Sequence, residues 1–397
     1  MCGILIFKTN HLTPEIKRKF KYSLEDLKNR GPDEIRTLQN KNLLAGFTRL
    51  SINDIKTGSQ PFKSLCGKYI ILFNGEIVNY KTLASNLRHK DIKMKYGHEA
   101  EVIIQLFILY GEKCVDFLRG FFAFVIIETK TNNIFAAVDR FRIKPLYYFQ
   151  NKEKNFIILT SDFSTLFKNN LVERELNIST LSAYFSLART FDNSTIFKNI
   201  KQLTAATVLK FNNGTIKTYK YWHPYKERPN IYWHPYRDLT NIKNKERARD
   251  LVHNKLLEVM DLWQISEAKL SLALSSGVDS QLINHYFNRN KINTSKFHLS
   301  ESKRAFFQLD QTVKINPNAK KILSLLNEFT KKNHDPFSMA NAGSTGMLQI
   351  YDKIKFNKFK VCFTGEGADE IFGGYDRYRE QLHLMKKKKI NFQPNDD

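Results

Sequence analysis

Cys2 follows the initiator methionine directly. Loss of Met1 would leave its thiol beside a free α-amine, which titrates at ~7.7–8.0 and can serve as a built-in general base. Thiol and amine together make an activated nucleophile; the alternative is a small apolar residue opening a buried strand. Asn74-Gly75 offers a side-chain amide and a backbone N–H that can aim at one oxyanion, or a plain turn, the commoner use of this pair. The run Ser275-Ser276-Gly277-Val278-Asp279-Ser280 is small enough to let backbone N–H groups approach phosphate oxygens; it is equally a connection, and it lacks the Gly-Lys-Ser/Thr of a P-loop. From Thr364 to Tyr375, the acids Glu366, Asp369 and Glu370 stand among Gly365, Gly367, Gly373 and Gly374. That composition suits a solvated loop or a site, and suits a core helix poorly.

The surrounding elements must hold these groups in place. A strand at 2–8 opens the chain. Thr13-Pro14-Glu15 has the marks of a helix start, and Arg30-Gly31-Pro32-Asp33 breaks that helix. Strands are expected at 43–50 and at 69–73, the latter stopping at Asn74-Gly75-Glu76. Helices follow at 80–89 and 99–110, then strands at 121–129, 133–140, 146–150 and 156–160. This order predicts two sheets sandwiched between helical layers. Asn212-Asn213-Gly214 signals a hairpin between 206–210 and 215–221. Tyr-Trp-His-Pro-Tyr at 221–225 recurs at 232–236, a short duplication in a linker; His223 and His234 lack acid or cysteine partners spaced for a metal. A helix at 244–264 and a strand at 269–274 then lead into the Ser275 loop, and a strand at 361–363 leads into the acidic one.

Composition narrows the classes. A length of 397 residues and 42% hydrophobic content fit a globular chain of two or three domains. No apolar run nears the ~18 residues of a membrane span, and 5–7 is too short for a signal-peptide core. The four cysteines, Cys2, Cys66, Cys114 and Cys362, show no metal or redox spacing; a reducing cytoplasm and no disulfides are expected. The net charge of +24 is spread through a Lys/Asn-rich chain, and only Lys386-Lys387-Lys388-Lys389 is dense. No specific nucleic-acid partner is expected, although weak, salt-sensitive contact with polyanions fits the charge.

Met-Cys-Gly-Ile, Arg-Gly-Pro-Asp, Thr-Arg-Leu-Ser-Ile at 48–52, Phe-Asn-Gly-Glu-Ile at 73–77 and Asp-Arg-Phe-Arg-Ile-Lys-Pro-Leu-Tyr-Tyr at 139–148 occur in that order. Together they resemble the class II glutamine amidotransferase domain, an N-terminal-nucleophile hydrolase. The resemblance implies that Cys2 attacks the side-chain amide of glutamine while its α-amine shuttles the proton. It implies that Asn74 and Gly75 hold the oxyanion. Arg49 would pair with the substrate α-carboxylate, a role for which a planar fork is suited. Glu76 and Glu99 would bind the substrate ammonium. Two departures stand out: the family reads Ser-Asp-Thr-Glu where this chain has His98-Glu99-Ala100-Glu101, and it has Gly where this chain has Arg142. The extra methylene of Glu99 keeps the charge and shifts its place, and Arg142 is expected to strain or reshape its turn.

The 275–280 loop resembles the Ser-Gly-Gly-x-Asp-Ser motif of adenylating ATP pyrophosphatases, with Ser276 in place of the first glycine. The resemblance implies ATP binding by Ser275, Ser276, Gly277, Asp279 and Ser280, bordered by Thr364 and Gly365. Mg²⁺ would sit on Asp279 and Asp369, with Glu366 acting in adenylation and ammonia attack. Both halves thus resemble glutamine-hydrolysing asparagine synthetase over 1–210 and 250–380. The implied substrates are glutamine, aspartate and ATP; an acceptor other than aspartate, and a non-synthesising nucleotide-binding form, remain open.

The expected architecture is α/β with two domains. A four-layer αββα sandwich occupies 1–220, a linker 221–244, and an α/β nucleotide-binding domain with a parallel sheet 245–397. Residues 281–343 match the family poorly, with Phe297-His298-Leu299-Ser300 and His334-Asp335-Pro336-Phe337 as faint echoes. Nothing after Tyr375 matches the family's later helices, so the second domain is expected to be shortened. The sequence leaves a homodimer open.

Overall fold

The computed structural model describes residues 1–153, 155–187, 190, 192–224, 244–264, 266–300, 312–332, 342–378, 380 and 383–384. The second Tyr-Trp-His-Pro-Tyr with His234, the His334-Asp335-Pro336-Phe337 segment and Lys386 to Lys389 lie outside the described residues. The chain forms two compact units: Met1–Glu267 with Leu326–Ala342, and Ala268–Leu325 with Gly343–Asp397.

In the first unit the strands are β1 (Gly3–Lys8), β2 (Glu34–Asn40), β3 (Leu43–Arg49), β4 (Phe62–Lys63), β5 (Tyr69–Ile77), β6 (Gly120–Glu128), β7 (Ile134–Val138), β8 (Tyr147–Asn151), β9 (Phe156–Thr160), β10 (Ile200–Gln202), β11 (Thr207–Asn212) and β12 (Thr215–Lys220). The helices are α1 (Pro14–Asp26), α2 (Tyr80–Arg88), α3 (Glu99–Tyr110), α4 (Cys114–Phe117), α5 (Ser164–Lys168), α6 (Ile178–Leu187) and α7 (Lys245–Trp263).

Two six-stranded sheets form, ordered β10-β8-β9-β1-β3-β2 and β12-β11-β7-β6-β5-β4. Their apolar runs are near-continuous because the central strands are covered on both faces, and the side chains divide with the period of two that a pleat imposes. Ile4, Ile6, Ala45 and Phe47 meet Ile70, Leu72, Ala123 and Val125 between the sheets. Leu5, Phe7 and Leu44 turn outward onto Phe20 and Leu24 of α1. Ile71, Phe73, Phe122 and Phe124 turn onto Leu83 and Leu87 of α2 and Val102 and Ile103 of α3. The result is the expected four-layer αββα sandwich.

Two local readings change. The strand expected to stop before Asn74 runs on to Ile77, so Asn74-Gly75 lies inside β5 rather than in a turn, with Asn74 opposite Ala123 and Gly75 opposite Phe122. A long partner strand supplies the hydrogen bonds that override the dipeptide's turn preference. The unexpected β2 is a polar strand at the end of its sheet, held by its pairing with β3 from Glu34–Arg49 to Asn40–Leu43. In contrast, Asn213 and Gly214 take φ of 48° and 82° and close the β11–β12 hairpin as expected. Helix α7 groups with the first unit, where Trp263 lies 5.1 Å from the ring of Phe121.

The second unit holds β13 (Leu270–Ala273), β14 (Thr294–Leu299), β15 (Thr312–Ile315) and β16 (Val361–Phe363), with α8 (Val278–Arg289), α10 (Ala342–Phe356) and α11 (Ala368–Phe372). Helix α9 (Ala319–Lys332) lies between β15 and α10 in the chain. The sheet order is β15-β14-β13-β16 with every pairing parallel. From β13 the chain moves outward to β14 and β15, then returns to the other side of β13 as β16. The order reverses between β13 and β16, and ligands of open parallel sheets bind outside the carboxyl ends of the strands at such a point.

Candidate functional site

Cys2 stands one residue before β1, and Gly3 lets it settle there: a Cβ on Gly3 would lie 2.5 Å from Thr48 Oγ1. The Cys2 N–H donates to Asn74 Oδ1 at 3.0 Å, and the Leu50 N–H donates to Cys2 Sγ at 3.4 Å. With its oxygen taken, Asn74 keeps a buried Nδ2 that has no hydrogen-bond partner. Gly75 beside it has φ of 155°, and a Cβ there would be 2.1 Å from the Phe121 carbonyl oxygen. The two sheets thus bring the thiol, an amide donor and a glycine N–H into one place. Burial raises the Cys2 thiol above its ordinary pKa. Burial, with Arg30 and Lys144 nearby, lowers the Met1 α-amine to about 5.

Two buried acids lie close by. Burial pushes the Glu76 carboxyl up to about 7. Glu99 opens α3, accepts from the Ile77 N–H, and is held well above the usual carboxylate range by burial and then by Glu76. Asp54 adds to both effects and is itself raised by burial. An apolar surround holding several acids favours a bound cation over separate charges.

Arg49 is buried, but its fork is already engaged. Nη1 donates to the Ile55 carbonyl at 3.2 Å, and Nη2 donates to those of Asn53 and Asp54 at 3.2 and 2.6 Å. In the structure Arg49 therefore shapes the 53–55 loop.

Several supporting groups carry no role that their sequence motifs declare. Asp139 accepts N–H bonds from Phe122, Phe141, Ile143 and Lys144, each at 3.0 Å, which fixes the turn carrying Lys144. Burial lowers the pKa of the Lys144 ammonium. Arg30 Nε donates to the Cys2 carbonyl at 3.2 Å. Glu101 accepts from the N–H groups of Lys95, Tyr96 and Gly97, each at 2.7 Å. Asp139 falls in the expected strand at 133–140 and Glu101 in the expected helix at 99–110, so neither position marks the N–H groups that its carboxylate collects.

In the second unit the small-residue loop is tied by hydroxyls. The Ser275 N–H donates to Ser280 Oγ at 3.0 Å, the two hydroxyls lie 2.9 Å apart, and the Gly277 N–H donates to Ser275 Oγ at 3.1 Å. Gly277 caps α8, and Asp279 lies in its first turn. The loop after β16 comes against it: a Cβ on Gly365 would be 2.9 Å from Asp279 Cβ and 3.1 Å from the Ser280 nitrogen. Ser276, Thr364 and Asp369 are half-buried, and Glu366 is exposed. Asp279 beside this cradle, with Asp369 in the helix that follows the Gly365 loop, offers hard oxygen donors suited in kind to Mg²⁺ on a polyphosphate. Among the described residues no three His, Cys, Asp or Glu side chains cluster as a metal site, so phosphate oxygens and water would complete the shell.

Residues 1–222 match the glutamine amidotransferase domain family, and 252–393 match the asparagine synthase family. Asparagine synthetase [glutamine-hydrolyzing] 3 of Bacillus subtilis is 28% identical over 94% of this chain and 63% of its own length. Amidase chry2 of Gibberella zeae is 24% identical over 96% of this chain and 60% of its own length. The chain spans less than two thirds of the length of these relatives. Among solved structures, a Bacillus subtilis glutamine phosphoribosylpyrophosphate amidotransferase complexed with ADP and GMP is 17% identical, covers 78% of this chain and 69% of its own, and has a TM-score of 0.40. The chain belongs to the glutamine amidotransferase domain family, and an asparagine synthase region follows that domain.

Proposed function

We propose that the protein makes an amide by moving ammonia from glutamine to an ATP-activated carboxylate, with aspartate as acceptor and asparagine as product. The observation that carries this reading is the pairing of the Cys2 nitrogen with Asn74 Oδ1, which leaves Asn74 Nδ2 unpartnered beside the thiol. Once Met1 is removed, that nitrogen is an α-amine able to take the thiol proton. The sulfur then attacks the glutamine side-chain carbonyl, whose oxygen gains charge toward Asn74 Nδ2 and the Gly75 N–H. The ammonium of glutamine is held by Glu76 and Glu99, and its carboxylate lies toward Arg49. The amine returns the proton to the departing ammonia, and water releases glutamate from Cys2.

In the second unit, the N–H groups of the 275–280 loop hold ATP phosphates. Asp279 and Asp369 would hold Mg²⁺, which would neutralise phosphate charge when bound. The β-carboxylate of aspartate attacks the α-phosphorus, pyrophosphate leaves, and ammonia displaces AMP from the acyl adenylate; Glu366 serves these steps. One glutamine, aspartate, ATP and water thus give one glutamate, asparagine, AMP and pyrophosphate. Division into 1–220, 221–244 and 245–397 and a cytoplasmic setting belong to the same reading; among the described residues no helix is long and apolar enough to cross a membrane.

A single reaction with glutamine, aspartate and Mg-ATP tests the reading. Glutamate, asparagine and pyrophosphate should rise together. Glutamate without asparagine would redirect the proposal to another acceptor, and no glutamate would end it.

A further inference from the structure

His98 occupies the position before Glu99 and caps α3: its Nδ1 accepts from the Glu101 N–H at 3.1 Å. That bond fixes the tautomer, because an accepting Nδ1 leaves the proton on Nε2. The ring is 2% exposed, edge-on to Phe62 at 4.7 Å and stacked on Tyr96 at 5.6 Å, so it cannot turn to find another partner. Its Nε2 is buried and unpartnered. His98 directly precedes Glu99 in the chain; burial lowers its pKa, and Asp54, Glu101 and Arg49 act on its ring. A buried donor without an acceptor is costly and rare; in a binding site it marks a bond that the ligand completes.

The polar groups of glutamine can be assigned in turn. The side-chain oxygen goes to Asn74 and Gly75. The ammonium goes to the buried acids. The α-carboxylate needs N–H donors, yet Nη1 and Nη2 of Arg49 already donate to three loop carbonyls. A carboxylate arriving near Asp54 also needs a donor between the like charges. We propose that His98 is a substrate-positioning residue whose Nε2–H donates to the α-carboxylate of glutamine alongside Arg49. This rests on the glutamine-hydrolysing reading of the site.

His98→Ser separates this role from that of the cap, because Ser also caps a helix N-terminus but cannot place a donor where Nε2 lies. The readouts are steady-state glutamate release from L-glutamine and ammonia release from L-glutaminamide, which lacks the carboxylate charge, on the full chain. With glutamine, H98S should raise KM by about tenfold or more, the scale of one bond to a charged group, with kcat changed far less. With glutaminamide, whose carboxamide oxygen accepts only a neutral hydrogen bond, the rise in KM should be several-fold smaller than with glutamine. Equal loss with both substrates would make His98 a packing residue and overturn the inference, as would an unchanged KM for glutamine. Failure of the unaltered protein to hydrolyse glutamine would instead overturn the reading of the site itself.

Discussion

The cysteine site of the first unit and the small-residue loops of the second are built in opposite ways. At the first, the groups come from strand ends and a helix start that are fixed before any ligand arrives. Asn74 and Gly75 are pinned inside β5, Glu99 by the Ile77 N–H, and the neighbouring turns by Asp139 and Glu101. At the second, two connections follow short parallel strands and present Glu366 to solvent. The first site holds its donors at low reorganisation cost, which is what stabilising a developing oxyanion requires. In the proposed reading the second site carries acids on its loops, and a divalent cation would offset their charge and that of the phosphates.

The sharpest way to break this contrast is to silence one site at a time. Cys2→Ala removes the nucleophile, and glutamate release should fall by on the order of 10⁴-fold or more. Pyrophosphate release from ATP and aspartate with added ammonia should persist in C2A. Asp279→Asn should do the reverse, removing ATP chemistry while glutamine hydrolysis survives. Parallel loss of both activities in C2A would mean that the two sites are not separable in this way.

Glycine replacement compares the two builds directly. At Gly75 a new Cβ would meet backbone, 2.1 Å from the Phe121 oxygen and 2.7 Å from Phe122 Cα, inside paired strands that cannot part. Gly75→Ala should cost about 100-fold in glutamine hydrolysis, the scale of one lost oxyanion donor, together with a lower melting temperature. At Gly365 the nearest atom is 2.9 Å away, and a less constrained connection can give. Gly365→Ala should weaken Mg-ATP binding about tenfold and leave the melting of the first unit unchanged. Calorimetry with and without Mg-ATP reads both.

A smaller effect comes from the buried acids. Burial pushes the Glu76 carboxyl up to about 7 and holds that of Glu99 well above the usual carboxylate range, both above the unfolded value of about 4.3. The folded state therefore binds more protons than the unfolded one in this window. The contribution is fully present below about pH 4.3 and is lost as pH rises through about 7. Glutamine, whose ammonium favours the ionised acids, should raise the melting temperature more at about pH 8 than at about pH 6. Glu76→Gln should flatten both trends, and an unaltered slope in E76Q would assign the pH dependence elsewhere.

Much of the fold can be read from residue order because so much of it is local. The helix expected at 99–110 forms over those residues, since a capping side chain starts it and Gly111, at φ of 58°, ends it. The strands of β1, β3 and β6 declare themselves through apolar runs. What escaped the sequence depends on partners distant in the chain. Asn74-Gly75 reads as a turn until β6 is laid beside it. Glu34 to Asn40, a mostly polar stretch, becomes a strand only when β3 supplies its ladder. The site is legible as a set of motifs; the engagement of Arg49 and the free Nε2 of His98 are not, because both follow from which carbonyls and N–H groups a folded loop presents.

Arg142 offers the finest test of how settled the first site is. It stands in the turn that Asp139 holds, with φ of 56°, where a residue other than glycine is strained by about 1 kcal/mol. Its guanidinium lies 5.4 Å from the Tyr147 ring centre, while its buried Nε and Nη2 have no hydrogen-bond partner. Arg142→Gly relieves the backbone and removes the unpartnered donors. It also loses a cation–π contact of about 0.5–1 kcal/mol and adds freedom to the unfolded chain worth a similar amount. These terms oppose one another, so urea unfolding of R142G should show a stability change within about 1 kcal/mol of zero. A loss above about 2 kcal/mol would mean that the guanidinium, and not the Asp139 cage, holds the turn that carries Lys144.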